Sequence, residues 1–217
     1  MKSPLTYKIS VPTADSAEKK SYPTLFVLHG IGSNEENALA LVEQLKDEFI
    51  LISIRGFHDR EDGYSHYEIQ GFGNPNRESF DESVDRLQKT LAYCRKRYAI
   101  DPKFQYILGF SQGAALAMTL ALREGNRIKG IIALSGYLPP FVKEDDQHES
   151  IDQVSVYISH GSYDPLFTMS QAKQNAQFFQ NHRARNVRFS SFFARHEITA
   201  ENEQDYLQWL FDDLKQV

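Results

Sequence analysis

Ser111 lies at the centre of Gly109-Phe110-Ser111-Gln112-Gly113, a G-x-S-x-G pattern, and two residues that complement a serine follow it along the chain. They are Asp164, in His160-Gly161-Ser162-Tyr163-Asp164-Pro165, and His196, ahead of Glu197-Ile198-Thr199. A serine hydroxyl is a weak nucleophile until a base takes its proton, and that base must be held in one orientation by a third group. Serine, carboxylate and imidazole in this order therefore point to acyl transfer through a covalent intermediate. The short pattern alone recurs by chance and needs a structural context. That context is present: an apolar run ends at Phe110, the pattern occupies a turn, and Ala114-Ala115-Leu116-Ala117-Met118 opens a helix. A serine on such a sharp turn projects into a cleft, and glycines two positions to either side let the helix pack closely on neighbouring strands. Serine also commonly caps helices, but a cap needs no flanking glycines.

Asp164 competes with a plainer role as a turn residue. Pro165 biases it toward an extended backbone beyond the end of an apolar strand. Of the seven histidines, His196 alone follows the last strand-like segment. His160 precedes the acid and reads as structural, and His29 ends an early strand, where its ring would brace a backbone. His58, His66, His148 and His182 fall in loops or at a helix end and read as solvated. No histidine pair shows i, i+4 or cysteine-linked spacing, which disfavours a metal site. A tetrahedral intermediate also needs donors for its oxyanion. One is the N–H of the residue after the nucleophile, Gln112, and a second comes from the loop after an early strand. His29-Gly30-Ile31-Gly32-Ser33 is that loop here, although a helix lead-in capped by Ser33 or Asn34 accounts for it equally well.

The elements that must position these residues follow a rhythm. Short apolar runs at 22–29, 49–54, 104–110, 128–134, 154–159 and 187–193 read as strands. Apolar residues at helical spacing mark Glu35 to Leu45, Phe80 to Tyr98, Ala114 to Leu122, Gln171 to Asn181 and Thr199 to Leu214. Strands that are apolar throughout and separated by helices predict a mostly parallel central sheet with helices on both faces. In such sheets the ligand site lies beyond the carboxyl ends of the strands, where all three candidate residues fall. Leu5 to Val11 alternates more and predicts an antiparallel edge strand. Gly56 to Ser79 and Gly136 to Gln153 are long connections without periodicity, of the kind that forms pocket walls.

The 217 residues suit one domain, 1–217, without a boundary signal. Composition is that of a globular protein, 41% hydrophobic and 24% charged. With a net charge of −5 and only one short basic cluster, Arg95-Lys96-Arg97, which reads as the exposed end of a helix, nucleic-acid binding is disfavoured. Cys94 is the only cysteine, which excludes an internal disulfide and points to a reducing, cytoplasmic setting. It reads as a buried, inert thiol. The stretch Met1 to Thr6 leads into polar residues rather than an apolar leader, and no apolar run approaches the roughly 20 residues of a membrane span.

The chain resembles the small phospholipase/carboxylesterase family of α/β-hydrolases, which includes acyl-protein thioesterases. The resemblance is carried by Leu28-His29-Gly30-Ile31-Gly32-Ser33-Asn34-Glu35, Gly109 to Ala115, Leu134-Ser135-Gly136-Tyr137-Leu138-Pro139, His160 to Pro165, and His196-Glu197-Ile198. It implies the α/β-hydrolase fold and cofactor-free hydrolysis of carboxylic esters or thioesters. It further implies a triad of Ser111, Asp164 and His196, with the N–H groups of Ile31 and Gln112 as oxyanion donors. Two departures stand out. Arg195 replaces the glycine usual before the triad histidine and reads as pointing to solvent, with recruitment of an anionic acyl group as the alternative. Where the family carries a Trp near the pocket, this chain has Tyr64, Tyr67 and Phe72, and its sole Trp209 is in the last helix.

The expectation is an esterase for short to medium acyl chains, acting on a small-molecule ester or thioester, with a homodimer as a compatible assembly. A thioesterase or lysophospholipase shares the triad, and a non-catalytic binding module would have lost part of it. If backbone N–H groups rather than a metal hold the oxyanion, hydrolysis of p-nitrophenyl esters survives exhaustive EDTA treatment. Inactivation that added zinc reverses points to a metallohydrolase instead.

Overall fold

Strands whose residues alternate between two apolar layers need helices on both sides, and the chain supplies them. The computed structural model describes residues 2–13 and 21–216, so Met1 of the N-terminal stretch lies outside it. In chain order the strands are β1 (Tyr7–Ser10), β2 (Tyr22–Leu28), β3 (Ile50–Ile54), β4 (His58–Arg60), β5 (Gly63–Ser65), β6 (Ile69–Gly71), β7 (Asn74–Pro75), β8 (Ile100–Phe110), β9 (Gly130–Leu134), β10 (Ser155–Gly161) and β11 (Asn186–Phe192). The helices are α1 (Glu35–Ala40), α2 (Arg77–Arg97), α3 (Gln112–Glu124), α4 (Pro140–Lys143), α5 (Met169–Asn181) and α6 (Ala200–Leu214).

Seven strands form one sheet in the order β1-β3-β2-β8-β9-β10-β11. Only β1 runs antiparallel, at the edge beside β3, as its alternating sequence predicted. The remaining pairs are parallel. Along β2 the side chains divide: Phe26 and Leu28 join the layer under α2, α3 and α5, while Leu25 and Val27 join the layer under α1 and α6. Helix α2 buries Phe80, Val84, Leu87, Leu91 and Cys94 along the stripe read from the sequence. Helix α3 is buried on nearly every side because it crosses the middle of the sheet. Among the described residues no helix is long and apolar enough to cross a membrane.

Three expectations change. The helix expected from Glu35 to Leu45 stops at Ala40 and continues as a 3-10 turn at Glu43–Leu45. Val42, with φ −130°, leaves helical geometry, yet Val42 and Leu45 are still buried, so the tighter turn delivers the same apolar face. The long connection after β3 is not featureless but folds into two small hairpins, β4-β5 and β6-β7. The basic cluster is not uniformly solvated either, since Arg95 bridges the buried Glu124 carboxylate at 2.6 Å and donates to Gln105.

The last helix is tied to the sheet by a buried carboxylate. Asp213 on α6 accepts from Ser155 Oγ at 2.6 Å, Arg185 at 2.5 Å and Tyr106 Oη at 2.9 Å. Removing one member of a buried charged pair strands the rest. Asp213→Ala is therefore expected to cost about 3 kcal/mol, a fall in melting temperature of roughly 6–12 °C. The kcat of the remaining folded protein stays unchanged, because α6 carries none of the candidate catalytic side chains. Calorimetry and steady-state kinetics on the same sample check both halves.

Candidate active site

At the end of β8 the chain turns abruptly into α3, and Ser111 occupies the turn with φ 54° and ψ −111°. A non-glycine residue there carries on the order of 1–3 kcal/mol of strain and needs support from its surroundings. The Ser111 N–H donates to the Leu134 carbonyl at 2.9 Å, and its own carbonyl accepts from Ala114 and Ala115. The flanking glycines are steric necessities. A Cβ on Gly109 would stand 2.1 Å from the Gly113 carbonyl oxygen, and one on Gly113 would stand 2.2 Å from that of Leu28. Ser111 makes no side-chain cap bond to α3, so its hydroxyl is left to face the cleft.

The fold brings Ser111, His196 and Asp164 together. His196 Nε2 lies 2.8 Å from Ser111 Oγ, and His196 Nδ1 lies 2.7 Å from Asp164 Oδ2. The other carboxylate oxygen of Asp164 accepts from the N–H groups of Leu166 at 2.8 Å and Phe167 at 3.1 Å. Burial pushes the Asp164 carboxyl up, but the hydrogen bonds from His196 and those two amides outweigh it and hold the group below the usual range. The His196 ring is flanked by Phe110 and Phe167, at centroid separations of 5.1 and 5.6 Å. His160, expected to be structural, is buried and donates from Nε2 to the Phe167 carbonyl at 2.9 Å, which braces the turn carrying Asp164.

The loop after β2 is fixed by His29. Its Nδ1–H donates to the Gly30 carbonyl at 2.7 Å, and its Nε2 accepts from the Gly56 N–H at 2.9 Å. The Gly30 carbonyl and the Ile31 N–H belong to one planar trans peptide and point in opposite directions. Holding the carbonyl toward His29 thus turns the Ile31 N–H the opposite way, and Ile31 lines the cleft together with Ser111 and Gln112. As the first residue of α3, Gln112 has an N–H with no intrahelical acceptor. Further along the loop, Gly32 and Ser33 pair with the backbone of Tyr64.

The aromatic residues divide. Tyr67 and Phe72 line the cleft, with Ile69, Tyr137 and Phe167. Tyr64 does not. Its ring lies under the Arg55 guanidinium, 4.3 Å from the centroid, while Arg55 makes a two-pronged bond to the buried Glu35. The backbone pairing that anchors Tyr64 to the Gly32-Ser33 turn faces its side chain onto this ion pair. Arg195 is exposed, as expected.

Two features escaped the sequence. The side chain of Gln112 bridges to the segment after β5, accepting from the His66 N–H at 2.7 Å and donating to the Tyr67 carbonyl at 2.8 Å. The motif signalled only the backbone of Gln112. His66, read as solvated, is fully buried and stacks on His29 at a centroid separation of 4.4 Å. Neither of its ring nitrogens finds a partner among the described residues. Its polar flanks, Ser65 and Tyr67, gave no sign of this. Burial, with the neighbouring His29 adding to it, holds His66 well below its ordinary value of 6.5.

The family model for Phospholipase/Carboxylesterase matches residues 11–211. Acyl-protein thioesterase 1 of Yarrowia lipolytica is 24% identical over 212 residues, covering 89% of this chain and 92% of the relative. Acyl-protein thioesterase 1 of Debaryomyces hansenii is 26% identical over 157 residues, 69% of this chain and 67% of that one. The crystal structure of a Bacillus cereus carboxylesterase superposes with a TM-score of 0.85 at 22% identity, covering 96% of this chain and 94% of that one, a likeness of fold.

The buried imidazoles give stability a pH dependence. The unfolded chain takes up protons at His66 and His29 that the folded chain refuses, so their contribution is complete above about pH 6.5 and is lost as pH falls. The loss approaches about 1.4 kcal/mol per pH unit for each residue. In urea melts at pH 7.5, 6.5 and 5.5, His66→Phe keeps the stack, removes one of the two groups and lowers the slope. An unchanged slope refutes the burial argument.

By the extent of the family match and the fold shared across nearly its whole length, the chain belongs to the phospholipase/carboxylesterase family.

Proposed function

We propose that the chain hydrolyses carboxylic esters of short to medium acyl chains, with Ser111 as nucleophile, His196 as base and Asp164 as the group that orients it. The observation that carries the reading is the hydrogen-bonded chain from Ser111 Oγ through His196 to Asp164, at 2.8 and 2.7 Å. Family membership makes the chain an ester or thioester hydrolase, and this geometry supplies the parts. Ser111 Oγ attacks the carbonyl carbon while His196 Nε2 takes its proton. The oxyanion is met by the N–H groups of Ile31 and Gln112, the latter at the positive end of α3. Collapse expels the alcohol, which receives the proton from His196, and leaves an acyl-Ser111 ester. Water, deprotonated by the same imidazole, attacks that ester and releases the acid. Asp164, kept ionised by its three hydrogen bonds from His196, Leu166 and Phe167, stabilises the imidazolium in both halves.

A thioester substrate passes through the same steps with a thiol leaving group, a reading favoured by the names of the yeast relatives. Short acyl groups suit the narrow cleft beside Ser111, whose wall is formed by Ile31, Ile69, Phe72, Tyr137 and Phe167. The same reading takes residues 1–217 as one domain, places it in the cytoplasm and allows a homodimer.

The test is kcat/KM on a short-chain p-nitrophenyl ester, with thermal melts alongside. Ser111→Ala loses on the order of a millionfold in turnover, and Asp164→Asn about 10⁴-fold through the wrong imidazole tautomer. His196→Ala is severely impaired, whereas His160→Ala acts mainly through stability. Activity of Ser111→Ala within tenfold of the parent sinks the assignment, as does a folded but inactive His160→Ala beside an active His196→Ala.

A further inference from the structure

The hydroxyls of Tyr67 and Tyr137 meet at 3.0 Å in the wall of the cleft beside Ser111. Tyr67 comes from the connection between β5 and β6 and Tyr137 from the loop after β9, so two separate chain segments deliver the pair. A phenol brings one O–H and acceptor lone pairs. Between two phenols one proton serves the shared bond and the other is left over. Among the described residues neither hydroxyl has a further hydrogen-bond partner. The side chains of Ile31, Ile69, Phe72 and Phe167 in the lining are apolar and offer none, and Gly73 has no side chain. Ser111 Oγ is engaged with His196, and the Gln112 carboxamide is engaged with the backbone of His66 and Tyr67.

Burial decides which proton is spare. Tyr67 is fully enclosed and packs edge-on against Phe80 at a centroid separation of 4.8 Å, while Tyr137 retains 6% exposure. With the enclosed Tyr67 as donor to Tyr137, the Tyr137 proton is the one left to offer to the cleft. Resting on the reading of this cleft as the acyl site, we propose that Tyr137 is a specificity-determining residue. It selects acyl groups that carry a hydrogen-bond acceptor, an ether, keto or hydroxyl oxygen, over plain alkanoyl groups of the same shape. A donor that meets no acceptor when an alkanoyl chain fills the cleft is desolvated without return, which is how a buried polar group rejects the apolar analogue. Burial pushes the Tyr137 phenol up to about 12, so it remains a donor throughout the neutral range.

The experiment uses two shape-matched pairs of p-nitrophenyl esters: methoxyacetate against butyrate, and 4-oxopentanoate against 4-methylpentanoate. Each kcat/KM is divided by the hydroxide-catalysed rate of the same ester, which removes intrinsic reactivity. The wild-type protein is expected to favour the oxygenated member of at least one pair by about tenfold. Tyr137→Phe reduces that preference to within roughly twofold of unity, with the alkanoate rate rising relative to the oxygenated ester as the unmet donor is removed. Wild-type ratios near unity in both pairs overturn the proposal, as does a preference that Tyr137→Phe leaves intact. Where Tyr137→Phe does not fold, the wild-type ratios decide alone. Hydrolysis of no ester above the Ser111→Ala background is a different failure, since it removes the hydrolase reading of the site itself.

Discussion

Everything at the site depends on a backbone that a side chain ordinarily avoids. Ser111 is held at positive φ because strand β8 and helix α3 must meet there, and they meet only if no Cβ intervenes at Gly109 or Gly113. The turn survives because its N–H is tied to β9 and the helix behind it is buried in the middle of the sheet. The local strain of the turn is thus borne by the packing of a helix buried on nearly every side. From that one constraint follow the turning of the hydroxyl toward His196, the direction of the α3 N-terminus and the place to which His196 and Asp164 must be brought.

Around the turn, loops are positioned largely by polar side chains acting on backbone, with the pairing of Gly32 and Ser33 to Tyr64 added to them. His29 grips the Gly30 carbonyl and the Gly56 amide, Gln112 takes both a donor and an acceptor of the segment after β5, and Asp164 is clasped by two amides of its own turn. Glu35 and Arg55 add a charged brace, with the Arg55 hydrogen bonds holding the Glu35 carboxyl below its usual range. Each of these contacts sits in a poorly hydrated setting, where a satisfied bond is strong and an unsatisfied one is costly. Such a site is preorganised before any ligand arrives, which is what stabilisation of a developing charge requires.

How much of this was legible differs by kind of signal. Strands β2, β3, β9, β10 and the second half of β8 could be read because they are buried on both faces and therefore largely apolar, whereas the edge strand β11 is half-exposed and was legible only from its spaced Val187, Phe189 and Phe192. The stripe of Phe80, Val84, Leu87, Leu91 and Cys94 gave α2 because helical spacing is a local property. Ser111, Asp164 and His196 were legible because each stands just past a strand end, in the order that the sheet imposes. Tyr64 was misplaced for the opposite reason. Its aromatic ring matched a pocket composition, but its direction is set by pairing with Ser33, some thirty residues earlier. His66 and the Gln112 carboxamide were invisible because a polar residue in an aperiodic segment looks solvated until the fold closes over it. Long-range pairing, not local pattern, settles where such side chains go.

Cys94 lies buried on the inner stripe of α2, and desolvation pushes its thiol up to about 12. The thiolate, the species that reacts with alkylating and disulfide reagents, is scarcely populated at neutral pH. The native fold is therefore chemically blank toward such reagents, although it is not free of cysteine. A cysteine introduced at the rim, on the exposed Phe72 of the β6-β7 hairpin or on Phe193 near His196, would be the one responsive thiol of the folded chain. Fluorophores or spin labels placed there would report on the mouth of the cleft without first deleting a core residue, so the packing that supports the Ser111 turn would stay as evolution left it.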